Sequence, residues 1–562
     1  MSLTTLLRTC LLSLLISLTG CHSHPKASAP LFNNLGTYHR QIETSSPLAQ
    51  RYFDQGLVLF YSFEYGESIR SFHAAIAADP NCAMCYWGLA LALGSKTDMP
   101  LDGHELDDAK AAIQTAAQVV NPINTEEKAL IGALSLRYIK ISVEKLQAFS
   151  GLCTSFSIVS GSASQDYSNA MKNLTALFPQ DPDVKVLYAA SLFDLSNWRL
   201  WNLSRHEPGQ YTLEIIQVLE SALALNKDHP GANHLYVHVT EFSPTPEQAL
   251  PNANRLSQLV PGSEHLAHMP CHTYYALGNY HDAIVVNQKA VQVYRDYAAS
   301  CQAQGFEPEV QYLYLHNYNY LIAAASMEGN KKIALDAAKE VEILTEPLAK
   351  QTIFLQKWLT STILTQTLFG EWQAVLAAPM PPVEYQYEMG IWHYARGVAY
   401  VELKQTSSAY NELKQLNDIL DKGRSDNVVG GFGMGLLRMS SDILGGLLAG
   451  QAGQTDLMLS DFQDAIHIQH TLGANDPPAW YFPITQLLGD AYYSAGRYAD
   501  AIQTYKDDLV SNPQNGWSLY GLEQSLRASG DTAGADSAHQ DFVKAWQYAD
   551  IPKPISLLNA PG

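Results

Sequence analysis

A chain of 562 residues exceeds one ordinary domain, and 47% hydrophobic with 10% aromatic residues specify a folded protein, not a disordered one. A formal net charge of −20 argues against nucleic acid as a main partner, because phosphates need clustered Lys and Arg. A charged fraction of 16% argues against a coiled coil.

The first 21 residues, MSLTTLLRTCLLSLLISLTGC, carry one basic residue, Arg8, and an apolar run from Cys10 to Leu18. That run is too short to span a bilayer and has the layout of an export signal. Its ending, LTGC, resembles the bacterial lipoprotein signal, in which the cysteine is lipidated and becomes the new N-terminus. The resemblance implies Cys21 as the lipidation site and a membrane anchored through lipid. His22 follows where an Asp would favour retention at the inner membrane. The expected location is therefore the cell envelope, at the outer membrane facing the periplasm in a Gram-negative cell. Residues 22–37 read as a flexible tether, 38–550 as the folded region and 551–562 as a C-terminal tail. Five further cysteines are too few for a disulfide-built scaffold.

Helical repeats organise the folded region. Leu488 and Leu522, Gly496 and Gly530, and Ala501 and Ala535 each stand 34 residues apart, the period of the tetratricopeptide (TPR) repeat. Gly489, Tyr492, Ala501, Tyr505 and Pro513 follow the TPR order of small, aromatic and proline positions. The pattern recurs at Gly56, Ser68, Phe72, Ala75 and Pro80, and again at Gly278, Tyr280, Ala283 and Ala290. No stretch alternates in the manner of a strand flanked by hairpin turns. The predicted fold is an all-α, TPR-type α-solenoid of stacked antiparallel helix pairs with a concave inner surface. Between Gly278 and Gly329 the spacing exceeds one repeat, which predicts an insertion loop over 295–314.

Longer segments resemble one family of large bacterial TPR proteins. They are DPNCAMCYWGLALALG, HPGANHLYVHVTE, PNANRLSQLVPGSEHLAHMPCHTYYALGNYHDA, HNYNYLIAAASMEGN and PPAWYFPITQLLGDAYYSAGRY. The likeness extends over nearly all of the mature chain and implies a fold without implying a reaction. Where relatives carry a Gly-Pro-Asn-type run after YWGLALALG, this chain has SKTDMPLD.

Six of the 18 histidines fall between His229 and His272, in the His-rich central repeats 229–295. His234 and His268 are 34 apart, as are His238 and His272, and Glu241 and Tyr275. They occupy positions 5, 9 and 12 of the first helix of adjacent repeats, which in TPR proteins generally face the concave groove. His265 and His316 each take position 2 and edge the same surface. Residues four apart share a helix face, so the four imidazoles of His234, His238, His268 and His272 are expected to converge. Three arrangements fit. The imidazoles bind a divalent transition metal (Zn, Cu or Ni), with Glu241 as ligand or orienting group, in a metal-binding protein or metalloenzyme. Alternatively the groove holds a protein, peptide or small polar ligand through His and Tyr hydrogen bonds, as a binding or scaffold module. In the third, the histidines only hydrogen-bond one another as a polar seam.

Other motifs carry less. Cys82 and Cys85, one helical turn apart, suit either a disulfide or buried packing. Cys271 takes a small-residue packing position, and Trp198 with Trp201 suits either core packing or the wall of a groove. No phosphate loop, nucleophile elbow or dinucleotide fingerprint occurs, and no catalytic residue is nominated.

Overall fold

Glycines and aromatics at repeat spacing explain the helix pairs. A Cβ on Gly56 would stand 2.9 Å from the Phe72 ring, and one on Gly88 would stand 2.2 Å from it. Gly489 and Gly521 close on the Tyr505 ring in the same way, at 2.5 and 2.3 Å. Each aromatic of a second helix is thus clasped by the first helix of its own repeat and that of the next. Only the absence of a side chain permits that approach. Starts are set locally. Pro47, Pro182 and Pro230 open their helices, and the side chains of Ser46, Asp181 and His229 cap them by accepting backbone N–H groups.

The computed structural model describes residues 29–94, 103–119, 123–138, 162–202, 207–308, 312–349, 353–426, 430–472, 477, 478, 480 and 482–556. Among them the regular elements are all helices, and the one strand-like pairing is an isolated Trp201–Pro208 bridge. Sequence neighbours pack together, from Pro47–Tyr61 with Tyr65–Ala78 to Gly516–Ser529 with Thr532–Ala545. The chain is an all-α TPR-type solenoid of stacked antiparallel helix pairs.

The solenoid curls until distant repeats touch. Helix Pro47–Tyr61 packs against Pro230–Thr240, and Tyr312–Glu328 packs against Gly516–Ser529. One apolar core runs from Leu35 to Met269, and another from Cys271 to Trp546. The junction between them falls inside HLAHMPCH, at the histidines.

Two expectations need correction. The tether predicted over 22–37 is bound to the solenoid from residue 29: Tyr52 donates to the Ala29 carbonyl at 2.9 Å, and Gln55 donates to that of Pro30 at 2.9 Å. Ala29 and Leu35 are buried, so their apolar area holds this segment down. The loop predicted over 295–314 is largely helix, since Tyr280–Ala303 runs on until Gly305 adopts a left-handed φ of +80°. No proline or glycine interrupts the chain before that point. Over 551–556 the tail also packs, with Trp546 donating to the Ile551 carbonyl at 2.9 Å and Ser556 to Asp490 at 2.9 Å. Cys82 and Cys85 form a disulfide, which settles the two options left open for that pair. Cys21 and the SKTDMPLD segment lie outside the described residues.

Candidate metal centre

Helix Pro230–Thr240 is set by its cap. His229 Nδ1 accepts from the Ala232 N–H at 3.2 Å, and its Nε2 faces Asp183 at 3.1 Å. His229 is therefore a structural cap, outside the cluster that follows. One turn apart on this helix, His234 and His238 point the same way, with ring centroids 4.9 Å apart.

The next repeat begins with the short helix Glu264–His268, capped by Ser263 Oγ at the Leu266 N–H, 3.1 Å. Pro270 has no N–H to continue the ladder, and a second segment, Pro270–Ala276, begins there. The break does not separate the histidines, because His268 Nε2 and His272 Nε2 lie 2.9 Å apart.

Two groups of three imidazoles result. His234, His238 and His265 offer nitrogens within 4.8 Å of one another, and so do His268, His272 and His316. A third group, His238, Glu241 and His272, meets the same limit and draws one histidine from each triad. The triads abut, with the His238 and His272 rings 5.1 Å apart and those of His265 and His268 5.8 Å apart.

Hydrogen bonds choose the tautomers. His234 Nδ1 lies 2.6 Å from the Tyr61 carbonyl, which can only accept, so Nδ1 carries the proton and Nε2 the lone pair. His268 Nδ1 meets Asn287 Oδ1 at 2.6 Å, while the Asn287 amide nitrogen donates to the Ala283 carbonyl at 2.7 Å. The lone pair of His268 is therefore also on Nε2. Each triad thus holds one imidazole whose outer nitrogen is anchored and whose inner nitrogen turns its lone pair toward a neighbouring imidazole, a usual arrangement around protein-bound metals.

Burial, and next the neighbouring imidazoles, push His234, His265 and His316 well below the ordinary histidine range. The same two causes push His268 down, against the Asn287 hydrogen bond. All four are neutral at physiological pH, the form that ligates metals. Burial opposes ionisation of Glu241, but His272 and His238 outweigh it and bring this carboxyl down to about 2. One Glu241 oxygen lies 2.5 Å from His272 Nδ1, and the other lies 3.5 Å from His238 Nδ1. Among the described residues, His238 Nε2 and His265 Nδ1 have no hydrogen-bond partner.

The six histidines are only 0–4% exposed, which corrects the expectation of an open groove face. Curling of the solenoid brings Tyr61 and Phe63 onto the histidines from a helix pair more than 170 residues earlier. Phe63 lies 4.3 Å from the His234 ring and stacks on His265 at 5.5 Å, while Trp198 meets His238 edge-on at 5.4 Å. On the opposite side Tyr320 packs 5.1 Å from both His268 and His272. Phe63 and Trp198 both hold left-handed φ angles, 59° and 58°, which cost a non-glycine residue about 1 kcal/mol or more and recur at functional sites. Behind them lies a cavity of about 50 Å³, room for a few water molecules, whose wall includes the Arg137–Asp194 ion pair.

Of the residues singled out in the sequence, His234, His238, Glu241, His265, His268, His272 and His316 come together. Tyr275 does not. It is half-buried against Tyr280 and Tyr320 at 5.2 and 5.7 Å. Tyr61, Phe63, Asn287 and Tyr320 escaped notice. Tyr320 had a signal, since it lies one turn after His316 on the same helix. Trp198 forms a wall of the site, one of its two expected roles.

No family model matches the chain, and no curated protein matches it. Solved structures of IFIT1 do. A human IFIT1 dimer with m7Gppp-AAAA matches at a TM-score of 0.31 and 12% identity, covering 91% of this chain and 92% of that one. A monomeric IFIT1 mutant with Gppp-AAAA matches at 0.30 and 12%, covering 90% and 91%. These solenoids were solved with Gppp-AAAA and m7Gppp-AAAA, and the exclusion of nucleic acid drawn above from net charge is withdrawn. Net charge averages over a whole surface and does not describe one groove. At these TM-scores the likeness assigns no ligand to the present chain.

Proposed function

We propose that this chain is a metal-binding, TPR-type solenoid protein whose buried histidines hold divalent transition metal. One observation carries the reading: six buried imidazoles stand in two three-donor groups, with the Glu241 carboxyl between them. A polar seam without metal would leave His238 Nε2 unsatisfied, at a cost of about 1–3 kcal/mol. A peptide or protein in the groove would find the imidazoles out of reach. The all-nitrogen triads suit Zn, Cu or Ni better than Ca or Mg, which prefer oxygen. A structural or storage role and a catalytic one differ in whether a coordination position stays open to water. Replacing both His238 and His272 by Ala is expected to abolish metal retention while circular dichroism keeps its helical signal. Metal content unchanged in that variant, measured on protein purified without a histidine tag, would refute the reading.

The proposal extends to location: an exported lipoprotein of the large bacterial TPR type, anchored through Cys21 to the envelope. Support comes from the apolar run ending in LTGC and from the Cys82–Cys85 disulfide, a bond that persists outside reducing compartments. Cys21→Ser is expected to move the protein from the membrane to the soluble fraction. Unaltered membrane partition of that variant would count against the anchor.

A further inference from the structure

We infer that the cluster is a dinuclear centre, with one ion in His234, His238 and His265, the second in His268, His272 and His316, and Glu241 shared between them. The inference rests on the metal reading above and adds the number of ions and the division of ligands.

The argument starts from the repeat register. His234 and His238 fill positions 5 and 9 of one repeat, and His265 fills position 2 of the next. His268 and His272 fill positions 5 and 9 of that next repeat, and His316 fills position 2 of the one after. The two triads are thus the same local site built twice, one repeat apart. The long helix Tyr280–Ala303 delays the second closing histidine in sequence without removing it from its register.

Geometry agrees with two ions. Ligand nitrogens 2.0–2.1 Å from a tetrahedral ion lie about 3.4 Å from each other. The Nε2 atoms of His234 and His265 are 3.0 Å apart, and those of His268 and His272 are 2.9 Å apart. Each pair is nearly spaced as two ligands of one ion. Each triad also has its own anchoring partner, the Tyr61 carbonyl for the first and the Asn287 side chain for the second. One ion could not take all six nitrogens and the carboxylate, which exceed a four-coordinate shell. Glu241 reaches one histidine of each triad, His238 at 3.5 Å and His272 at 2.5 Å. A single negative charge at that point offsets repulsion between two dications, the arrangement in which a carboxylate is most useful.

The test is a titration of the full chain, purified without a histidine tag and stripped of metal, with Co²⁺ and separately with Zn²⁺. Two equivalents are expected to bind tightly. His265→Ala is expected to lose one equivalent, His316→Ala to lose the other, and the double variant to lose both. His265→Gln and His316→Gln, which keep the buried volume filled, guard against misfolding, and helical circular dichroism accompanies every variant. Glu241→Gln is expected to weaken both equivalents at least tenfold. A single equivalent in the wild-type chain, or one equivalent lost identically through His265 and His316, overturns the dinuclear assignment and leaves metal binding in place. No bound metal at all overturns both.

Discussion

Replacing Asp183 with alanine is expected to destabilise the N-terminal half of the solenoid by roughly 3–5 kcal/mol, the cost of stranding buried partners of an ion pair. Asp183 is buried and meets Arg40 at 2.8 Å, Tyr38 at 2.6 Å and His229 at 3.1 Å, and it also accepts from Tyr61. Arg40 additionally pairs with Asp181 at 2.8 Å and Glu126 at 2.5 Å. This network ties the segment after residue 29, the first helix and the histidine helix to one carboxylate. Hydrogen exchange is expected to rise across 38–61 and 230–240, while 484–545 keeps its protection. Unchanged exchange across 38–61 would disprove the anchoring role. The pH dependence follows in sign. Burial works against ionisation of Asp183, but Arg40 and then His229 and Tyr38 outweigh it, holding the carboxyl far below the ordinary range. A depressed folded pKa gives stability that is fully present above the unfolded value of ~3.9 and is lost as pH falls below it. The gap between wild type and Asp183→Asn should therefore be constant from pH 6 to 8 and shrink below about pH 4.

The second large effect is expected at the other end. Ala501 is fully buried between Tyr505, Leu522 and their neighbours, in a small cluster separate from the two main cores. Ala501→Arg forces a long side chain and a charge into that space, at a cost of about 3 kcal/mol or more. Repeat arrays are stabilised by nearest-neighbour interfaces, so the loss should stay local. Amide exchange is expected to accelerate across 488–542 before any other part of the chain responds. Equal loss of protection throughout the chain would show that the C-terminal repeats are not the independent unit assumed here.

Much of the fold was legible because TPR information is local. Ala501 and Ala535 recur at a fixed period, and the structure shows Gly489 and Gly521 of successive repeats clasping Tyr505. The triads were half legible. The four-residue and 34-residue spacings put His234, His238, His268 and His272 on matching faces, because helix geometry alone decides that. Position 2 also brought in His265 and His316, although nothing in the sequence said which triad each would join.

What the sequence by itself determined about this protein was the repeat period, the helical pairs and the shared face of the histidines. Each follows from contacts within a repeat or to the next one. What only the tertiary structure decided was that this face is closed. Curvature is a small rotation accumulated over many repeats, and no local pattern records its sum. That sum brings Tyr61 and Phe63 onto His234, across more than 170 residues, and turns an expected groove into a buried centre. It also sets apart the histidine cap of one helix, His229, from the six that face one another, a distinction made by Asp183 and not by spacing.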